Sequence, residues 1–166
     1  MATIIEDTRQ KVAKHCGKVG ALEAIGHQVV RSKLPFGDYA LMPPVSVDTK
    51  ADIYELVSDI DQQHDRFRGE LKGAKEAGVA LYVLTINKDG VTDLGTLALW
   101  HEPIEHLAMR RRASGNQNAR QIMGQRIAKA CMTMQDRYGV TFLFCSTEEE
   151  AADIIDRLLV GDNHGE

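Results

Sequence analysis

The chain has 166 residues, 43% of them apolar and 27% charged, with a net charge of −4. That length suits one domain around a single core, and the composition excludes a disordered chain and a globally basic nucleic-acid binder. The longest apolar run, VALYVLTI, is far short of a membrane span, the start MATIIEDTRQ lacks the pattern of a signal peptide, and Cys16, Cys131 and Cys145 show no metal-binding or CxxC spacing. A cytoplasmic protein with free or buried thiols is the expectation, with no membrane partner.

TIIED reads as a short buried strand with Asp7 at its C-terminal end. A helix follows, closing near Gly26, then HQVVRSKL as a strand and a turn at Pro35 and Gly37. DYALM and VSVDTK are two short strands, with Pro43 and Pro44 in the connection because proline cannot donate to a ladder. Ile53, Leu56, Val57 and Ile60 form the apolar stripe of a helix, and a second helix runs through RFRGELKGAKEAG to Gly78. VALYVLTI reads as a central strand buried on both faces. Residues 87–118 show no clear periodicity and are expected to form a mobile insertion. ARQIMGQRIAKACMTMQDRYG is a long helix ending at Gly139, and VTFLFC a last strand. Thr147 and Glu150 open the final helix as a capping box, before a polar tail over 161–166. Strands and helices in this order predict one α/β domain over 1–166, with a central mixed β-sheet flanked by α-helices.

Charge is unevenly placed. From Met109 to Arg137 stand Arg110, Arg111, Arg112, Arg120, Arg126, Lys129 and Arg137, opposed only by Asp136, so the rest of the chain carries −10. That is either a face for a polyanion on an acidic body or a solvated helix face.

The stretch GDYALMPPVSVDTK raises the sharper question. If its two strands form a hairpin, Asp38 and Asp48 converge at one sheet end, where two carboxylates suit a hard cation such as Mg²⁺ or Mn²⁺. Alternation along a strand puts Lys50 on the same face as Asp48, and Thr49 on the far face. A lysine there would act on an attacking water or a phosphate. Charged residues are common, and the spacing alone fits a solvent-exposed turn equally well.

IIEDTRQK, GDY and DTK together resemble the nuclease domain of XPF-type structure-specific endonucleases, within the PD-(D/E)xK restriction-endonuclease-like superfamily. Asp7 and Arg9 match that family's early Asp-x-Arg-Glu, with Gln10 in place of the glutamate. Gly37, Asp38 and Tyr39 match its Gly-Asp-Tyr. Its Glu-Arg-Lys is here Asp48, Thr49 and Lys50, and a later aspartate falls on Tyr54. DRFRGEL matches a further motif through Arg66 and Glu70. The resemblance implies a restriction-endonuclease-like core that hydrolyses DNA at branches, flaps or junctions with Mg²⁺ or Mn²⁺. It implies Asp38, Asp48 and the main-chain carbonyl of Thr49 as metal ligands, Lys50 on the water or phosphate, and Asp7 and Glu70 as further carboxylates. Arg9 and Arg66 would contact DNA or brace the carboxylates, and Arg110, Arg111, Arg112, Arg120, Arg126 and Lys129 would hold its backbone. Homodimers are expected, as is a lone nuclease domain of the kind seen in phage or mobile-element proteins, with no helix-hairpin-helix module. Replacement of the glutamate and arginine by Gln10 and Thr49 keeps open a second expectation, a nuclease fold weakened in catalysis that binds DNA or dimerises.

Two other signals are set aside. HEPIEH has one residue too many for an inverted zincin motif, and Pro103 falls within the helix that motif needs. GKVG lacks the spacing and hydroxyl of a phosphate loop, so no nucleotide cofactor is expected.

Overall fold

A computed structural model of the chain describes residues 2–41 and 45–161. Its elements are β1 (Thr3–Asp7), α1 (Val12–Ala24), β2 (Gln28–Ser32), β3 (Tyr39–Leu41), β4 (Val45–Lys50), α2 (Ile53–Asp61), α3 (His64–Glu76), β5 (Ala80–Ile86), α4 (Leu94–Leu99), α5 (Ile104–Ser114), α6 (Gly124–Tyr138), β6 (Thr141–Cys145) and α7 (Glu148–Val160). The expected connection at Pro43 and Pro44, and the tail from Asp162, lie outside the described residues.

The strands form one mixed sheet in the order β2-β1-β3-β4-β5-β6. β3 runs antiparallel to both β1 and β4, while β1–β2, β4–β5 and β5–β6 are parallel pairs. Each parallel pair needs a helical crossover, and α1, α2–α3 and α4–α6 supply them. Alternation along the strands then makes two cores. Leu81, Val83, Phe142 and Phe144 face α2, α3 and α6. Tyr39, Val47, Leu84 and Cys145 face α1 and α7. β5 lies between β4 and β6 with Val83 and Leu84 fully buried on opposite faces, as its unbroken apolar run predicts.

Residues 87–118 contain two helices the sequence did not announce. α4 is only 6 residues long and rests on a capping box, the Asp93 carboxylate accepting from the Thr96 N–H while the Thr96 hydroxyl accepts from the Asp93 N–H. α5 buries only Leu107 and so carries no apolar stripe to read. Pro103 stands at its N-cap and does not interrupt it, which leaves His101 outside the helix and His106 inside. The long helix begins later than its residue pattern predicts, at Gly124 in place of Ala119. The preceding segment is held away from helix by pairing with the chain before α5: Glu102 N–H donates to Ile122 O, and Gly124 N–H to Trp100 O.

Gly124 lets α6 lie directly on α4. A Cβ there would stand 1.9 Å from the Leu97 carbonyl oxygen and 2.5 Å from that of Trp100. Both are backbone atoms, so Gly124→Ala must push the helices apart. It is expected to cost about 3 kcal/mol in urea unfolding; a change below ~1 kcal/mol would show that the contact yields.

Candidate active site

The turn before β3 is built to present Asp38. Gly37 has φ +70, and a Cβ on it would meet Ser46 Oγ at 2.4 Å, so only glycine fits. Asp38 is then pinned by its backbone: its N–H donates to Val47 O and its carbonyl accepts from Asp7 N–H, both at 2.7 Å. Tyr39 opposes Val47, which brings Asp38 opposite Asp48 at the sheet end. α2 packs Ile53, Leu56, Val57 and Ile60 against the sheet and α3 packs Phe67 and Leu71. Packed this way, the two helices close a polar cavity of about 270 Å³ over the end of β4.

Of the residues singled out from sequence, Asp38, Asp48, Thr49, Lys50, Glu70, Arg9 and Arg66 line this cavity. Asp7 does not. Its carboxylate is turned to Arg9, accepting from the Arg9 N–H and Nε at 2.8 Å each and from Nη2. Burial works to raise the Asp7 pKa, but these Arg9 bonds hold it below the usual carboxylate range. Glu70 reaches back to the turn and accepts from Gly37 N–H at 2.9 Å.

Thr49 departs from strand alternation. Its hydroxyl and its N–H both donate to Asp38 Oδ2 at 2.7 Å, so the side chain serves the cavity and not the far face of the sheet. Asp38 precedes β3, and its carboxylate meets Thr49, two residues beyond Val47, the last β4 residue paired with β3. Gln10, where the resembled family has glutamate, donates from Nε2 to Asp38 Oδ1. Both departures from the family pattern therefore hydrogen-bond the same carboxylate.

Lys50 Nζ lies 2.6 Å from Asp48 Oδ2 and 2.5 Å from Asp59 Oδ2. Asp59, on α2, is the residue that sequence reasoning missed. It falls on the rim of the apolar stripe between Leu56 and Ile60, and a carboxylate there was the signal available. Its other oxygen takes Arg66 Nη2 at 2.8 Å.

The electrostatics follow from burial. Burial pushes the Asp38 pKa up to about 6, against hydrogen bonds from Thr49 and the charge of Lys50. Burial likewise lifts Asp48 well above the usual range; Lys50 opposes this, and the negative charges of Asp38 and Glu70 add to it. For Lys50, burial favours the neutral amine, but Asp48 and Asp59 more than reverse that, and the group titrates above the ordinary lysine range. The cavity thus gathers the Asp38, Asp48 and Glu70 carboxyl groups, with the charge of Glu70 raising the pKa of both aspartates, around an ammonium that Asp48 and Asp59 favour in its charged form.

The basic stretch lies elsewhere. Arg110, Arg120 and Arg126 line a separate cavity of about 390 Å³ on the other side of α2. The stretch is also less free than its composition indicates. Arg126 is paired in a fork with Asp61, and Arg110 with the fully buried Glu102, while Arg111 donates to Ala119 O. Arg112, Arg120 and Lys129 are exposed.

Glu102 also accepts from His106 Nδ1 at 2.8 Å and from Ile122 N–H at 3.2 Å. Burial raises its pKa, but Arg110, His106 and the Ile122 amide bring it down to about 2. A carboxylate acidified on folding stabilises the protein above its unfolded pKa, and the contribution is lost as pH falls from about 4.5 through about 2. Urea midpoints of wild type and Glu102→Gln are therefore expected to differ most at neutral pH and to converge as pH falls through that window. A gap that stays constant would contradict this.

Among the described residues no three His, Cys, Asp or Glu side chains cluster as metal ligands, and no helix is long and apolar enough to cross a membrane. The ERCC4 domain family matches residues 6–158 of the chain. XPF from Aeropyrum pernix is similar in structure, with a TM-score of 0.64 and 17% identity over 97% of this chain. The structure titled XPF from Aeropyrum pernix in complex with DNA gives 0.64 and 19% over 99%. The chain spans 61% and 66% of those two chains. No curated protein matches it in sequence. The XPF-type resemblance and the α/β sheet architecture expected from the sequence are both borne out.

Proposed function

The chain belongs to the ERCC4 domain family, and from that premise we propose that it is a Mg²⁺- or Mn²⁺-dependent DNA endonuclease acting at branched, flapped or junction DNA, as a homodimer. The observation that carries the reading is the meeting of buried Asp38 and Asp48 with the Lys50 ammonium in one polar cavity. Carboxylates alone would repel a phosphodiester. The donor set fits a hard divalent cation, because Mg²⁺ keeps most of its water and uses one or two carboxylates. Burial raises the pKa of Asp38 and Asp48, and a cation bound between them would favour their ionised forms.

Asp38 and Asp48 would hold the metal, with the Thr49 main-chain carbonyl as a further oxygen donor and Glu70 as an outer carboxylate. Bound there, the ion supplies Lewis acidity and a water of lowered pKa. Gln10 and the Thr49 hydroxyl keep Asp38 in one orientation. Lys50, held above the ordinary lysine range by Asp48 and Asp59, would set its charge against the developing negative charge of the phosphate. Arg9 and Arg66, both more than half exposed at the cavity, would meet flanking phosphates. The exposed Arg112, Arg120 and Lys129 would hold a more distant part of the backbone.

One observation favours a second reading, a DNA-binding module weakened in catalysis: both oxygens of Asp38 already accept hydrogen bonds from the protein. Incubation with supercoiled plasmid and end-labelled junctions separates the two. Cleavage with Mg²⁺ or Mn²⁺ that stops with EDTA is expected. Salt-sensitive DNA binding without cutting under any metal would leave the second reading.

A further inference from the structure

Asp59 is 2% exposed on the inner side of α2, a costly place for a carboxylate. Its oxygens are divided between two cations from different elements, Lys50 of β4 at 2.5 Å and Arg66 of α3 at 2.8 Å. Charge balance does not require this arrangement. Asp48 already neutralises Lys50 at 2.6 Å, and Arg66 is 61% exposed, where an ion pair contributes little to stability. Geometry is what the arrangement does provide. Lysine carries its charge on a flexible stem, and its ammonium has three donors. Asp48 and Asp59 hold it between them as two ion pairs. The Phe67 ring, 5.3 Å from Nζ, bounds the ammonium further. Arg66 would otherwise swing freely in solvent.

We infer that Asp59 is a positioning residue that holds Lys50 and Arg66 at one fixed spacing, so that Lys50 meets the reacting phosphate while Arg66 meets a flanking one. The inference rests on the nuclease reading. Asp59 itself touches no reacting atom.

The test uses Asp59→Asn, which keeps the shape, and Asp59→Ser should the first not fold. A drop in kcat of about a hundredfold with KM for DNA nearly unchanged is expected, the signature of lost orientation and not of lost binding. In a Lys50→Met background the same substitution should cost far less, because only the part of its effect that passes through Arg66 remains. A second readout needs no catalysis. The buried Lys50 ammonium should give a slowly exchanging ¹H–¹⁵N signal that is lost in Asp59→Asn and kept in Arg66→Gln. A kcat within threefold of wild type, or a loss fully additive with Lys50→Met, overturns the inference. If wild type cuts no DNA, the nuclease reading fails and the ammonium signal decides alone: its loss in Asp59→Asn upholds the clamp, and its persistence overturns it.

Discussion

Asp48→Asn is expected to lower metal-dependent DNA cleavage by about a thousandfold while the protein folds as well as wild type or better. Asp48 is buried beside Asp38 within reach of the charge of Glu70, and its raised pKa records that ionising there is unfavourable. The amide removes the repulsion and keeps the shape. It leaves Lys50 its bond to Asp59, so no buried ammonium is stranded. It removes the charge that would hold the metal. Cleavage of labelled junction DNA, a thermal melt and Mn²⁺ calorimetry on the same preparation check all three parts. Cleavage within tenfold of wild type would remove Asp48 from the metal site, and a large fall in melting temperature would show that its charge is structural.

Lys50→Met should behave in the opposite way towards stability. Methionine is unbranched and of similar length, so packing beside Phe67 survives. Asp48 and Asp59, both buried, lose their shared ammonium, and stranding partners of a buried pair costs about 3–5 kcal/mol. The loss should be greatest at neutral pH and shrink in acid, where Asp48, its pKa already raised by burial, escapes by taking up a proton. Cleavage should fall by about 10²–10³, since the charge opposite the phosphate is gone. Urea unfolding at pH 7 and pH 5 tests the first part. A stability change under ~1 kcal/mol at pH 7 would mean that Asp48 and Asp59 do not depend on Lys50. Read together, the two variants separate a group whose charge is there for chemistry from one that also holds the fold.

Much of the frame is legible locally. The α2 stripe of Ile53, Leu56, Val57 and Ile60 is fully buried as its period requires, and Gly26, Gly78 and Gly139 mark helix ends where positive φ is needed. The Asp38–Asp48 hairpin follows from two short strands around a proline pair. α4 and α5 were not legible, because helices of 6 and 11 residues that each bury a single side chain leave no periodicity. Nor was the true state of the basic stretch. Arg126 is neutralised by Asp61, 65 residues earlier, and Arg110 by Glu102 eight residues before it across a helix start.

By itself the sequence determined the order of the strands and of the helices other than α4 and α5, the family, and which carboxylates and lysine stand at the end of β4, because short-range periodicity and turn chemistry carry that information. Only the tertiary structure decided which charges meet. It turned Asp7 to Arg9 and away from the cavity, brought Gln10 and Thr49 onto Asp38, and introduced Asp59 beneath Lys50. Those pairings join β1, the turn before β3, β4 and α2, and the partner of a buried charge is set by which elements pack against it, a property no window of neighbouring residues contains.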